Sequence, residues 1–239
     1  MSSDSDCSNK SERGRVSVSF SSLARAAYCP RQLYYARKEE DWSRPDESKR
    51  KQQLCHRYNT FHEQDAAALR SEPIDVEPHV YLDRVESLST RAYWPAIAEP
   101  SQTAVFVEGR DCHGRITKVL EPDTQDLCDH PLPTLASPGK PPETGVWEPQ
   151  SVRAVAAAYA LSWERERPIE HALVEYPAYG VVRTVTLTTR RAATYRRVLR
   201  TVRSMDGPPP RVDDDRCHSC RYRDRCGVKT RSLASLLGF

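Results

Sequence analysis

The eleven residues from Arg216 to Cys226, RCHSCRYRDRC, limit what this chain can fold into more than any other stretch, because three cysteines in a C-x2-C-x5-C spacing grasp a metal but do not close its coordination. A structural zinc site or an iron-sulfur cluster takes four protein donors, so a distant residue must complete the set, unless one position stays open. Cys29 is the best placed of the five other cysteines. It lies between Tyr28 and Pro30, where the proline interrupts the helical pattern of SSLARAAYCPRQLYYARK and frees the thiol from the helical ladder. Cys7, Cys55, Cys112 and Cys128 read as buried or idle thiols. The competing reading is a zinc knuckle using His218 or a loop histidine, although a residue inside a C-x2-C turn usually points away from its metal.

At 239 residues and 38% hydrophobic, the chain can build a single core. No apolar run approaches the roughly 18 residues of a membrane span, and the first residues lack the apolar stretch of a signal peptide. The expectation is a cytoplasmic protein with no membrane partner, in which eight cysteines serve metal ligation or burial rather than disulfides. A net charge of +3 does not by itself require nucleic acid. The expected organisation is a disordered leader over 1–14, a main domain over 15–206 and a cysteine-rich segment over 207–239.

Hydrophobic periodicity predicts a short strand in RVSVSF, then a helix capped by Ser21 or Ser22 and broken at Cys29–Pro30. A further helix is expected through QQLCHRYNTFHEQDAAALR. Two strands flank an Asp-Cys-His-Gly turn, with Val105, Val107, Ile116 and Val119 as β-formers. The stretch PLPTLASPGKPPETG has too much proline for a central strand. A helix follows with Val152, Val155, Ala156, Tyr159, Ala160 and Trp163 on one face. HALVEY and VVRTVT form a hairpin around PAYG, and a last helix from about Thr189 to Ser204 buries Tyr195, Val198, Leu199 and Val202.

The order of SFSSLARAAYCPRQLYY, a helix with His-Glu, AAAYALSWE, a hairpin, a helix, a proline linker and CHSCRYRDRC resembles the CRISPR-associated exonucleases of the RecB-like, PD-(D/E)XK nuclease fold, over roughly Val16 to Lys229. The resemblance implies an α/β fold, a small mixed sheet flanked by helices. It also implies a four-iron, four-sulfur cluster on Cys29, Cys217, Cys220 and Cys226 that clasps the chain ends together. The implied role is in spacer acquisition for antiviral defence, with single-stranded DNA or DNA ends and the CRISPR integrase as partners.

In that family a histidine, an aspartate and the glutamate of a Glu-x-Lys hold Mg²⁺ or Mn²⁺ for phosphodiester hydrolysis, and the lysine helps to orient the attacking water. His62 matches the histidine, though Tyr58 stands where the family usually has glycine. The aspartate position falls on Thr117 in GRITKV, and the Glu-x-Lys on Leu135 and Ser137 in LASPGKP. A glutamine of the following helix is replaced by Val155, while its tyrosine is kept as Tyr159. The nuclease centre therefore reads as degenerate, with His62 and Tyr159 as remnants. Two alternatives stand beside this reading. One is an active exonuclease whose ligands have moved to acids such as Glu108, Asp111, Glu121 or Asp123; the other is a zinc scaffold that does not bind DNA.

On the last helix Arg196, Arg200 and Arg203 share one face, widened by Arg190, Arg191 and Arg197. With Arg221 and Arg223 they form the expected track for a DNA backbone, and Tyr222 is the expected base-stacking ring.

Overall fold

The computed structural model describes residues 16–39, 45–121, 130–212 and 214–227. The leader, Asp123, Cys7, Cys128 and the chain beyond Gly227 lie outside them. The architecture is α/β: a mixed six-stranded sheet with helices on both faces.

Strand β1 (Val18–Ser19) leads into helix α1 (Phe20–Tyr28), whose N-cap is Ser19 rather than Ser21 or Ser22; the Ser19 hydroxyl accepts a hydrogen bond from the Ser22 N–H. Cys29 is extended, and Pro30 opens α2 (Pro30–Ala36) at a position where its missing N–H costs nothing. The single helix expected through residues 52–70 is instead α3 (Asp46–Gln53), a 3₁₀ turn (Leu54–His56) and the one-turn α4 (Tyr58–His62). Helices α5 (Pro78–Ser89) and α6 (Trp94–Ala98) follow, neither of which the sequence pattern had marked.

Strands β2 (Gln102–Glu108) and β3 (Cys112–Leu120) pair antiparallel. Their turn is Gly109–Asp111, so Cys112 and His113 belong to a strand and not to the expected turn. Gly109 is obligatory there, because a Cβ would come within 2.6 Å of the Ala160 Cα. Strand β4 (Leu132–Ala136) is central, against the expectation from its prolines, and all five of its residues are buried. Pro133 is tolerated because pairing with β5 (His171–Tyr176) begins one residue later, at Thr134. The hairpin from β5 to β6 (Val181–Thr186) turns through Pro177–Tyr179 and a left-handed Gly180, as expected.

One face of the sheet is covered by α1, α7 (Glu148–Arg165) and α8 (Thr189–Arg203), and the other by the segment from Cys55 to Ile97. Ala154, Ala156, Ala157, Ala158 and Ala160 let α7 lie close on the strands. Val152, Val155 and Ala156 are buried as expected, but Tyr159 and Trp163 are not: they are 37% and 58% exposed. Tyr195, Val198, Leu199 and Val202 of α8 are buried as expected. Among the described residues no helix is long and apolar enough to cross a membrane.

Candidate functional site

Strand β3 positions the site. Strand β2 occupies one of its edges over Cα partners from His113 to Val119. On the other edge β1 pairs only with Cys112 and His113, and β4 only with Lys118 to Leu120. The sheet therefore forks, leaving residues 114–117 without a strand partner on that side. The Ala104–Thr117 pair is missing from the β2–β3 ladder, and Ala104 sits in the left-handed region at φ 53°. The distortion reverses the side-chain alternation: Ile116 packs under α7, whereas Lys118 is buried towards the opposite face.

The fork opens into a cleft of about 720 Å³ between α1, α3, the start of α7 and the β3 edge. Thr117 lies on its wall with Gly114, Arg115 and Ile116. Its Oγ1 accepts the Ala136 N–H at 2.9 Å, while the Ala136 carbonyl accepts from Gln52 at 2.7 Å and Arg153 at 3.4 Å. Among the described residues, Arg25, Lys49, His56, Arg115 and Arg153 line the cleft and no carboxylate does. Four cationic side chains, with no acid among the described lining residues, suit an anion and repel a divalent cation. Partial burial, then the nearby Lys118 ammonium, lowers the His56 pKa, so the ring is neutral near pH 7 while the cleft is empty.

Of the residues assigned from the nuclease pattern, only Thr117 reaches this cleft. Leu135 is buried under α7, and Ser137 is buried and accepts a hydrogen bond from Gln150 at 3.3 Å. His62 is elsewhere: its Nε2 meets Glu86 at 2.9 Å, and its ring lies 5.6 Å from Trp94. The break after the 3₁₀ turn causes this, since it separates His62 from the helix that borders the cleft and leaves His56 there instead. Tyr159 packs edge-on against Tyr195 at 5.3 Å, away from the fork. Asp111 is engaged by Arg203 at 2.8 Å and Glu121 by Arg165 at 3.9 Å; neither of these acids, nor Glu108, lines the cleft.

The cysteine segment packs where Cys29 lies. Arg216 donates to the Tyr28 carbonyl at 2.5 Å, Arg31 to the Pro209 carbonyl at 2.7 Å, and Tyr35 to the Arg225 carbonyl at 3.0 Å. The Gln32 amide is 4.0 Å from the Cys220 sulfur, and the Cys217 thiol donates to the Val212 carbonyl at 2.9 Å. All four thiols are half-buried, unlike Cys55 and Cys112, which are enclosed in the core. Burial raises the Cys112 pKa to about 11 and pushes the Cys55 thiol higher still. Four thiols on two apposed segments fit the donor chemistry of an iron-sulfur cluster. They are not drawn to a common point: no group of three or more His, Cys, Asp or Glu donors able to hold a metal is present among the described residues.

The expected DNA-binding residues divide. Arg196 and Arg200 are exposed on α8 and Arg223 is exposed on the cysteine segment. Arg203 is half-buried and held by Asp111, and Arg221 is paired with Glu39. Tyr222 is 4% exposed, stacked on Tyr35 at 5.8 Å with its hydroxyl on Glu39, so it has no face for a base.

The residues missed from sequence are His56, the cleft arginines and a buried pair, Lys118 and Glu175. Both members have 0% accessible side chains. Lys118 Nζ donates to the Cys55 carbonyl at 2.6 Å, the Ile97 carbonyl at 2.9 Å and Glu175 at 3.1 Å, and Thr134 donates to the other Glu175 oxygen at 2.5 Å. A signal for the pair was present in ITKVL and LVEY, where a single charge interrupts an apolar run and must find a partner once buried. In comparisons of the sequence with known proteins, no family model and no curated protein matches this chain.

Proposed function

We propose that this chain is a RecB-like nuclease-fold protein of CRISPR spacer acquisition that binds DNA ends without cutting them. The observation that carries the reading is the cleft at the sheet fork, which is lined by Thr117, the residue matched to the family's metal-binding aspartate, and, among the described residues, by four cationic side chains, His56 and no acid. Mg²⁺ needs hard anionic oxygen ligands, and a phosphate needs cations; the lining suits the second. The cleft takes a DNA phosphate, and the missing carboxylates abolish ion binding and water activation together.

Cys29, Cys217, Cys220 and Cys226 hold a four-iron, four-sulfur cluster in this reading, which would fasten the cysteine segment to the α1–α2 elbow. The apposition of the two segments through Arg216, Arg31 and Tyr35 supports it.

Anaerobically purified protein tests both parts. Iron analysis should give about four atoms per chain, with Cys29→Ala losing them; stoichiometric zinc without iron overturns the cluster. Fluorescence anisotropy should show salt-dependent DNA binding, and the same sample with Mg²⁺ or Mn²⁺ should leave the DNA intact. Metal-dependent cleavage abolished by His56→Ala or by Arg153→Ala, or failure to bind DNA at low salt, overturns the non-cutting DNA binder.

A further inference from the structure

Helix α7 carries two aromatic rings that the core does not use. Tyr159 and Trp163 are four residues apart, hence neighbours on one face of the helix. Every other apolar residue of α7 from Val152 to Leu161 is buried. The two rings open into a groove of about 670 Å³ bounded by the Gly109–Cys112 turn and by Tyr195 and Arg196 of α8. The Tyr159 ring is held in place by its edge-on contact with Tyr195 at 5.3 Å. Arg196 lies on the groove wall and Arg200 follows one turn further along α8, both exposed. No residue lines both this groove and the cleft at the sheet fork.

We infer that this groove is a single-strand nucleic-acid platform, with Trp163 and Tyr159 stacking on bases and Arg196 and Arg200 receiving the phosphates. The inference deepens the DNA-binding reading above and rests on it. Asp111, held by Arg203 at 2.8 Å, and the exposed Glu166 also line the groove, so the ring type and the exposed Arg196 and Arg200 of α8 choose the occupant. A protein partner would be expected to meet a larger apolar patch, whereas here two exposed π-faces adjoin arginines, the pairing that single-strand binders use. Duplex DNA keeps its bases stacked and offers nothing to Trp163. The assignment also moves the stacking function from Tyr222, which is buried, to rings that are accessible.

A fluorescein-labelled oligothymidylate is the probe, followed by anisotropy, with a hairpin duplex of similar length as control. Trp163→Ala should weaken single-strand binding by roughly 5- to 100-fold, the range of one lost base stack, while leaving duplex affinity unchanged. Trp163→Phe should retain most of the affinity but lose the quenching of tryptophan fluorescence that stacking produces. Arg196→Gln with Arg200→Gln should reduce the salt slope, which Trp163→Ala should not. Wild-type single-strand affinity in both Trp163→Ala and Tyr159→Ala overturns the platform; if that binding is still lost on Arg115→Gln with Lys49→Gln, the DNA-binding reading survives it. A wild-type chain that binds no DNA overturns both.

Discussion

Thr117 and Lys118 are neighbours on one strand and lie in opposite kinds of surroundings. Thr117 faces an open cleft with four cationic residues, His56 and no acid among the described residues, whereas Lys118 is sealed on the other side of the sheet with an acid, two carbonyls and the Tyr58 ring at 4.8 Å. A lysine and a glutamate side by side in a mixed sheet invite a catalytic reading. This pair has no accessible surface, and the three ammonium hydrogens are already committed, so it touches neither substrate nor water. Lys118 reaches β5, the 3₁₀ turn and α6 at once, which makes it a fastener of the helical layer on that face. In the proposed function, binding falls to the residues of the cleft.

The largest effect should come from breaking the sealed side. Glu175→Ala leaves the Lys118 ammonium buried without its counter-charge and the Thr134 hydroxyl without its acceptor, which should cost about 3–5 kcal/mol of unfolding free energy in urea titrations. The double variant Lys118→Met with Glu175→Leu should recover much of that loss, because the desolvation of both charges disappears with them. If Glu175→Ala unfolds with the wild-type midpoint, the pair is not the fastener described here.

The sequence revealed most of the α7 face of the molecule and little of the other. The break at Cys29–Pro30, the hairpin around Gly180 and the α8 core face were legible because proline, a left-handed glycine and helical periodicity each leave a local mark. Helices α5 and α6 left weaker marks: α5 contributes Tyr81, Val85 and Leu88 amid charged residues, and α6 is only five residues long. Strand β4 was hidden by Pro133, whose tolerance depends on where β5 begins, a tertiary fact. The cleft was illegible for the same reason. His56, Arg115 and Arg153 come from a turn, a strand and a helix that only the fork brings together. His62 came from the family resemblance through its His-Glu, and the turn at Arg57 that leaves His56 at the cleft has no mark in that pattern.

On the open side, effects should fall on binding and spare stability. Arg115 and Lys49 are exposed, and Lys49 meets Asp46 at 2.8 Å. Changing both to Gln should leave the unfolding midpoint within about 0.5 kcal/mol of wild type, as for ordinary surface substitutions. DNA affinity should fall about equally across sequences, and the salt slope should drop by about one for each phosphate contact removed. An unchanged slope would take the phosphates out of the cleft. A large loss of stability would mean that the two sides are less separate than the geometry indicates.

The smallest effect is the most specific to the cleft. The His56 ring is kept neutral by partial burial and then by the Lys118 ammonium, with Glu175 pulling weakly the other way. A phosphate entering the cleft reverses the balance, because an anion favours the imidazolium and raises its pKa. Binding then takes up a proton, so affinity should rise as pH falls from about 7.5 towards the lowered pKa of the free protein, by at most about tenfold per pH unit for one proton. Folding runs the opposite way: a histidine whose folded pKa lies below its unfolded value of about 6.5 contributes a stability that is present above 6.5 and lost as pH falls through that window. His56→Gln should flatten both dependences, and measurement of affinity and urea midpoint on the same pH series separates them. If affinity rises towards acid pH equally in wild type and His56→Gln, another group carries the proton and the phosphate does not sit beside His56.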